Sequence, residues 1–105
     1  MKNMKVKLPE EKIEEFCRRW QITELAVFGS VLRDDFRPDS DIDFLVSFAP
    51  DENWSLFDLV DMERELAAIV GRKVDLIEKV AIERSHNKLR RKEILSTAQT
   101  FYVTR

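Results

Sequence analysis

Apolar positions recur along this chain with two different periods, and each period predicts a different secondary structure. A spacing of three and four residues over residues 9–21 indicates an amphipathic helix. The same spacing returns over residues 55–70, between a capping Ser55 and a stop at Gly71. A last helix is predicted over residues 87–101. The apolar positions expected to face the core are Ile13, Phe16, Cys17 and Trp20 in the first helix, Leu56, Leu59, Val60, Leu66, Ala67 and Val70 in the second, and Ile94, Leu95, Ala98 and Phe101 in the third.

Three other segments have the period of a strand. Residues 22–28 end in an unbroken apolar run, which is typical of a buried strand. Residues 41–48 alternate between apolar and mostly polar positions, and residues 74–78 do so over a shorter length. Because a helix joins the second of these strands to the third, we expect a parallel or mixed arrangement. The predicted fold is α/β (α+β), a short mixed sheet with helices packed on one face and carboxylates on the other.

Two of those carboxylates lie at the start of the second strand. Asp41 and Asp43 alternate with Ile42 and Phe44, so both point to the same face, about 7 Å apart along the strand. Carboxylate oxygens suit Mg²⁺. An isolated pair of this kind is also common on the polar face of an amphipathic strand, so the pair alone does not establish a metal site.

A glycine–serine pair, Gly29 and Ser30, lies at the end of the first strand. Gly29 is twelve positions before Asp41 in the chain. A turn at Gly29 and Ser30 can present backbone N–H groups to phosphate oxygens. Ser30 is also a good N-cap, which predicts a short helix beginning there. Phosphate-binding and metal-binding groups are therefore expected together.

Asp75 is a third candidate. Val74 and Leu76 share one face of the last predicted strand, and Asp75 takes the other. If this strand lies beside residues 41–48, Asp75 joins the two earlier aspartates, and a bound cation offsets their mutual repulsion. The alternative is that Asp75 is only the solvent-facing residue of an edge strand.

These residues resemble the nucleotidyltransferase superfamily that includes DNA polymerase beta, and most closely its minimal nucleotidyltransferases. The likeness covers about residues 12–102. It rests on Phe28-Gly29-Ser30, Arg33, Ser40-Asp41-Ile42-Asp43, Gly71-Arg72-Lys73-Val74-Asp75-Leu76 and Ile94-Leu95. The sequence departs from the commonest form of the turn, since Leu32 and Asp34 stand where alanine and glycine are usual.

The resemblance implies a set of roles. Asp41 and Asp43 would bind two Mg²⁺ ions, and Asp75 would bind the one that activates the attacking hydroxyl. Gly29 and Ser30 would hold the β- and γ-phosphates of ATP, with Arg33 near them and Ser40 in the cofactor-binding motif. By the same likeness the chain is an antitoxin that transfers AMP from ATP to a tyrosine of a HEPN-domain RNase toxin, with which it forms a hetero-oligomer.

Length and composition narrow these expectations. The 105 residues predict a single minimal nucleotidyltransferase domain, residues 1–105. A formal net charge of −2 with both signs abundant argues against direct nucleic-acid binding. One cysteine, no long apolar stretch and no signal-like start predict a cytoplasmic protein without a membrane partner.

Two other functions stay open at this stage. A binding antitoxin would mask its HEPN partner sterically without chemistry. A small-molecule nucleotidyltransferase, acting for example on an aminoglycoside, is less favoured, because such enzymes resemble larger chains with an added helical domain that grips the acceptor.

Overall fold

The structure is a computed structural model that describes residues 8–29, 41–50 and 53–104. Its secondary structure follows the predicted order up to the third strand and departs from it afterwards. In chain order the elements are α1 (Glu10–Arg19), β1 (Ile22–Phe28), β2 (Ile42–Phe48), α2 (Leu56–Val70), β3 (Val74–Glu78), α3 (Lys79–Glu83), α4 (Lys88–Thr97) and β4 (Gln99–Val103).

The strands form one mixed sheet in the order β3-β2-β1-β4. β1 pairs antiparallel with β2 on one side and with β4 on the other. β2 and β3 are parallel, as expected for two strands that a helix connects. The predicted fold class is therefore confirmed.

The main core lies between this sheet and the first two helices. Phe44 of β2 and Phe16 of α1 are fully buried, as are Met62 and Leu66 of α2. Strand alternation explains the arrangement, because Ile42, Phe44 and Val46 all project to this face. The residues that alternate with these three along β2, which include Asp43, project to the other face.

That second face carries a smaller apolar cluster. Ala26, Phe28 and Leu45 of the sheet pack there with Ile82 of α3 and Ile94 of α4. Helices therefore contact both faces, and the second face is less open than the sequence suggested. The difference arises because α3, a single short helix after β3, was not predicted and turns the chain across this face.

The C-terminal segment also differs from its prediction. The helix ends at Thr97 instead of continuing to residue 101, and Ala98 adopts an extended conformation with ψ 140°. The next five residues form β4 against β1. Phe101 and Tyr102 have the aromatic side chains that favour strands, so strand propensity and pairing with β1 prevail over the apolar spacing that suggested a helix.

The predicted ends of α2 are confirmed, but part of its buried stripe is not. The Ser55 hydroxyl accepts from the Asp58 amide at 3.2 Å, and Asp58 accepts in return from the Ser55 amide at 2.9 Å. Gly71 ends the helix in the left-handed conformation. Leu56 and Val60, predicted to face the core, are instead 77% and 41% exposed. The neighbouring Phe57 is 83% exposed, so the start of α2 presents apolar side chains to solvent.

None of the helices within the described residues is both long enough and apolar enough to cross a lipid bilayer.

Candidate functional site

Asp43 and Asp75 are brought together by the register of the two parallel strands. Asp43 of β2 is the direct partner of Asp75 of β3, and Ile42 is the partner of Val74. Val74 is buried in the main core, so Asp75 lies on the opposite face with Asp43. Neighbouring strands lie about 4.8 Å apart, which places the two carboxylates within reach of one ligand.

Asp41 precedes β2 by one residue. With Asp43 and Asp75 it forms a row of aspartates along this face of the sheet. The Ile42 amide donates to the Lys73 carbonyl at 3.1 Å, so pairing with the β3 segment already begins at this level. Because Ile42 is fully buried on the core face, alternation directs Asp41 to the face of Asp43. Both aspartates are half-buried, whereas Asp75 is exposed.

Gly29 approaches Asp43 from the other side. Phe28, the last residue of β1, is the antiparallel partner of Asp43, and Gly29 follows it with φ +78°. A Cβ atom on Gly29 would collide with the Asp43 carboxylate oxygen Oδ2. The position therefore requires glycine for two reasons, the left-handed backbone and the closeness of the carboxylate.

A side chain of α2 fixes the strand that carries Asp75. One Glu63 carboxylate oxygen accepts a hydrogen bond from the Leu76 amide at 3.1 Å. This contact caps an amide at the outer edge of β3, which would otherwise be open for pairing with another strand. Glu63 thereby holds the backbone next to Asp75 in place.

Another acidic residue on this face is already engaged elsewhere. The carboxylate of Glu24 accepts from Lys79 Nζ and from the Thr100 hydroxyl, both at 3.2 Å. These residues line a small cavity of about 160 Å³ beneath Leu95 and α4. Glu24 thus ties β1 to α3 and β4, and it is not one of the aspartates at the other end of the sheet.

Three predicted site residues, Ser30, Arg33 and Ser40, lie outside the described residues. Among residues 8–29, 41–50 and 53–104, no group of three acidic, histidine or cysteine side chains is gathered closely enough to hold a metal ion. The chemistry of the aspartates still fits Mg²⁺, because their oxygens are its preferred ligands and like charges separate unless a cation draws them together.

Sequence reasoning assigned no role to one basic residue at this edge of the sheet. Lys73 is two residues before Asp75, and that spacing alone was enough to place it on the same face. Its side chain is exposed.

Comparisons with known proteins identify the family. The family model described as nucleotidyltransferase domain matches residues 10–100. The protein adenylyltransferase MntA of Thermococcus cleftensis is 37% identical over 70 residues, which are 67% of this chain and 69% of that protein.

Solved structures share the fold. A crystal structure of a toxin–antitoxin with AMP-PNP superposes with a TM-score of 0.69 at 20% identity, covering 93% of this chain and 76% of that one. A structure of a tri-AMPylated HEPN toxin from Shewanella oneidensis in complex with its MNT antitoxin gives a TM-score of 0.61 at 21% identity, covering 90% and 70%. The chain belongs to the nucleotidyltransferase domain family, among its minimal, MntA-like adenylyltransferases.

Proposed function

We propose that this chain transfers AMP from ATP to a tyrosine hydroxyl of a HEPN-domain toxin, and that it acts in this way as the antitoxin. The observation that carries the proposal is that Asp43 pairs with Asp75 on one side and is in contact distance of Gly29, just after β1, on the other. Nucleotidyl transfer needs a phosphate-binding turn beside acidic residues, and the closeness of Gly29 to Asp43 supports such an arrangement.

The reaction assigns each residue a task. The tyrosine oxygen forms a bond to the α-phosphorus, the bond from that phosphorus to the bridging oxygen of the β-phosphate breaks, and pyrophosphate leaves with the electron pair. Asp75 accepts the tyrosine proton directly or through water. Asp41, Asp43 and Asp75 would hold Mg²⁺, which when bound neutralises charge on the triphosphate.

The triphosphate lies on the β1 side of this row. Gly29 lets the backbone come close to Asp43, so that a phosphate held at the turn is next to the carboxylates. Ser30, Arg33 and Ser40 complete the nucleotide site in this proposal, Ser30 through hydrogen bonds and Arg33 through its charge. Catalysis is then positioning and charge neutralisation, with no covalent intermediate on the protein.

The acceptor is proposed from the relatives. One solved neighbour is an AMPylated HEPN toxin bound to an MNT antitoxin, and another is a toxin–antitoxin pair with AMP-PNP. The relative from Thermococcus cleftensis is named a protein adenylyltransferase. A HEPN partner in a hetero-oligomer, with this chain acting as one catalytic domain, follows for this protein by analogy.

Labelled transfer tests the proposal. The chain is incubated with a HEPN-domain protein from the same organism, α-labelled ATP and Mg²⁺, and label on that protein is followed in time. We expect Asp43→Asn to reduce labelling at least about 100-fold, because the central carboxylate of the row is lost. Asp61→Asn is the matched control, since Asp61 is an exposed aspartate of α2 on the helix side of the sheet. Equal labelling by wild type and Asp43→Asn refutes the proposed site.

A further inference from the structure

Lys73 extends the row of aspartates with a positive charge. Since Ile42 pairs with Val74 and Asp43 with Asp75, continuing this register one residue before each strand places Lys73 beside Asp41. The Ile42 amide donates to the Lys73 carbonyl as part of this pairing. Two strands thus present a square on one face, Asp41 beside Lys73 and Asp43 beside Asp75.

The Lys73 ammonium is available for a ligand. Its side chain is exposed, and no carboxylate in the described part of the chain forms an ion pair with it. By contrast, Lys79 further along this face is held by Glu24 at 3.2 Å. A lysine beside acidic groups that it does not engage is suited to binding an anion that arrives with the substrate.

The order of the strands determines which part of the substrate Lys73 meets. β1 with Gly29 lies on one side of β2, and β3 with Lys73 and Asp75 lies on the other. In the proposed function the β- and γ-phosphates rest at Gly29. The β3 side is therefore the side of the α-phosphate and of the incoming tyrosine oxygen, across the aspartate row from the triphosphate tail.

From this placement we infer that Lys73 is a further catalytic residue, whose ammonium donates to a non-bridging oxygen of the α-phosphate while AMP is transferred. The contact stabilises negative charge on the phosphoryl group as the tyrosine oxygen adds to the α-phosphorus and pyrophosphate departs with the bonding electrons. Lys73 acts only as a hydrogen-bond donor, and the acceptor's proton goes to Asp75. The inference rests on the proposed adenylyl transfer and adds to it a cation on the acceptor side.

The test separates chemistry from nucleotide binding. Wild type, Lys73→Met and Lys73→Arg are compared for kcat of AMP transfer to the HEPN partner and for equilibrium binding of AMP-PNP with Mg²⁺. Lys12→Met is the matched control, since Lys12 is an exposed lysine of α1 on the opposite face. Thermal unfolding of each variant shows whether the fold is kept.

We expect Lys73→Met to lower kcat about 10- to 100-fold with AMP-PNP affinity changed less than about threefold, because the contact matters at the reacting phosphorus. Lys73→Arg should recover most of the rate, and Lys12→Met should match wild type. A folded Lys73→Met that keeps the wild-type kcat overturns the inference. So does a loss explained entirely by weaker AMP-PNP binding, which would place Lys73 at the triphosphate tail. If wild type itself transfers no AMP while the partner is intact, the proposed function fails, and this inference with it.

Discussion

Asp43 and Asp75 lie directly opposite each other on two parallel strands that are separated in the chain by all of α2. Two carboxylates at adjacent positions of a sheet repel each other, and such pairs on one face reduce stability unless something compensates. A divalent cation bound between the two carboxylates would offset this repulsion.

The closeness of Gly29 to Asp43 leads to a first prediction. Gly29→Ala should lose at least about 100-fold in AMP transfer, because the new methyl group displaces the Asp43 carboxylate and a small displacement of a reacting group is enough for such a loss. Stability should also fall by about 1 kcal/mol from the left-handed backbone. Rates of labelling and denaturant unfolding measure the two effects.

Gly71 supplies the control for that experiment. Its φ of +77° nearly equals the +78° of Gly29, but a Cβ atom there meets nothing within 4 Å. Gly71→Ala should therefore show the loss in stability without the loss in activity. Equal activity losses in both variants would mean that backbone strain, and not contact with Asp43, explains the glycine at position 29.

The packing of α4 on the carboxylate side of the sheet gives a second prediction. Ile94 is 6% exposed and contacts the cluster around Leu45. Ile94→Ala should reduce the free energy of unfolding by about 2–4 kcal/mol, through lost burial and a residual cavity. Leu89→Ala, in the same helix but 84% exposed, should change it by less than about 0.5 kcal/mol. Similar unfolding curves for the two variants would show that α4 is not docked in this orientation.

The buried thiol of Cys17 predicts a loss of stability in alkali. Burial, reinforced by Glu14 and only partly opposed by Arg18, raises the pKa of Cys17 from 9.0 to about 12. Above pH 9.0 the unfolded chain gives up this proton and the folded chain does not, so unfolding becomes easier until the folded thiol also ionises near pH 12. Below pH 9.0 the folded and unfolded chains both keep this proton, so the thiol makes its full contribution to the free energy of unfolding there.

Urea unfolding of wild type and Cys17→Ala at neutral pH and at pH about 10 measures this effect. Lysine and tyrosine side chains titrate in the same range, so the informative quantity is the difference between the two proteins. Wild type should lose more stability than Cys17→Ala on going to the higher pH. An identical decline in both would indicate that the thiol is accessible to water in the folded chain.

Chemistry and steric masking make different predictions for Asp41→Asn. If transfer of AMP neutralises the toxin, this variant should fold and bind the HEPN protein but fail to protect cells that express it. Growth of cells producing both proteins is the measurement, with Asp61→Asn as control. Full protection by Asp41→Asn would favour the masking function over the enzymatic one.

Some elements could be predicted from the sequence because the apolar spacing and capping residues within the element determine them. The apolar run to Phe28 and the alternation after Asp41 each specify one buried face, and a strand with one buried face has a defined register. The predicted strands over residues 22–28 and 74–78 coincide with β1 and β3. The capping box at Ser55 and the glycine at position 71 set the limits of α2 for the same reason.

Other elements depend on contacts between distant parts of the chain. β4 exists because Gln99 and Thr100 pair with Val27 and Ala26 of β1, more than seventy residues earlier in the chain. Nothing within residues 87–101 distinguishes that outcome from a longer helix. The same holds for the exposure of Leu56 and Phe57, which have helical spacing but no described core to cover them.

The most direct measurement follows the label from two forms of ATP to the HEPN partner, using wild type, Asp75→Asn and Asp61→Asn. We expect wild type and Asp61→Asn to transfer label from the α-phosphate and none from the γ-phosphate. Asp75→Asn should remain folded and transfer label at least about 100-fold more slowly. Transfer of γ-label, or α-labelling by Asp75→Asn at the wild-type rate, would contradict a reaction centred on the aspartates that β2 and β3 bring side by side.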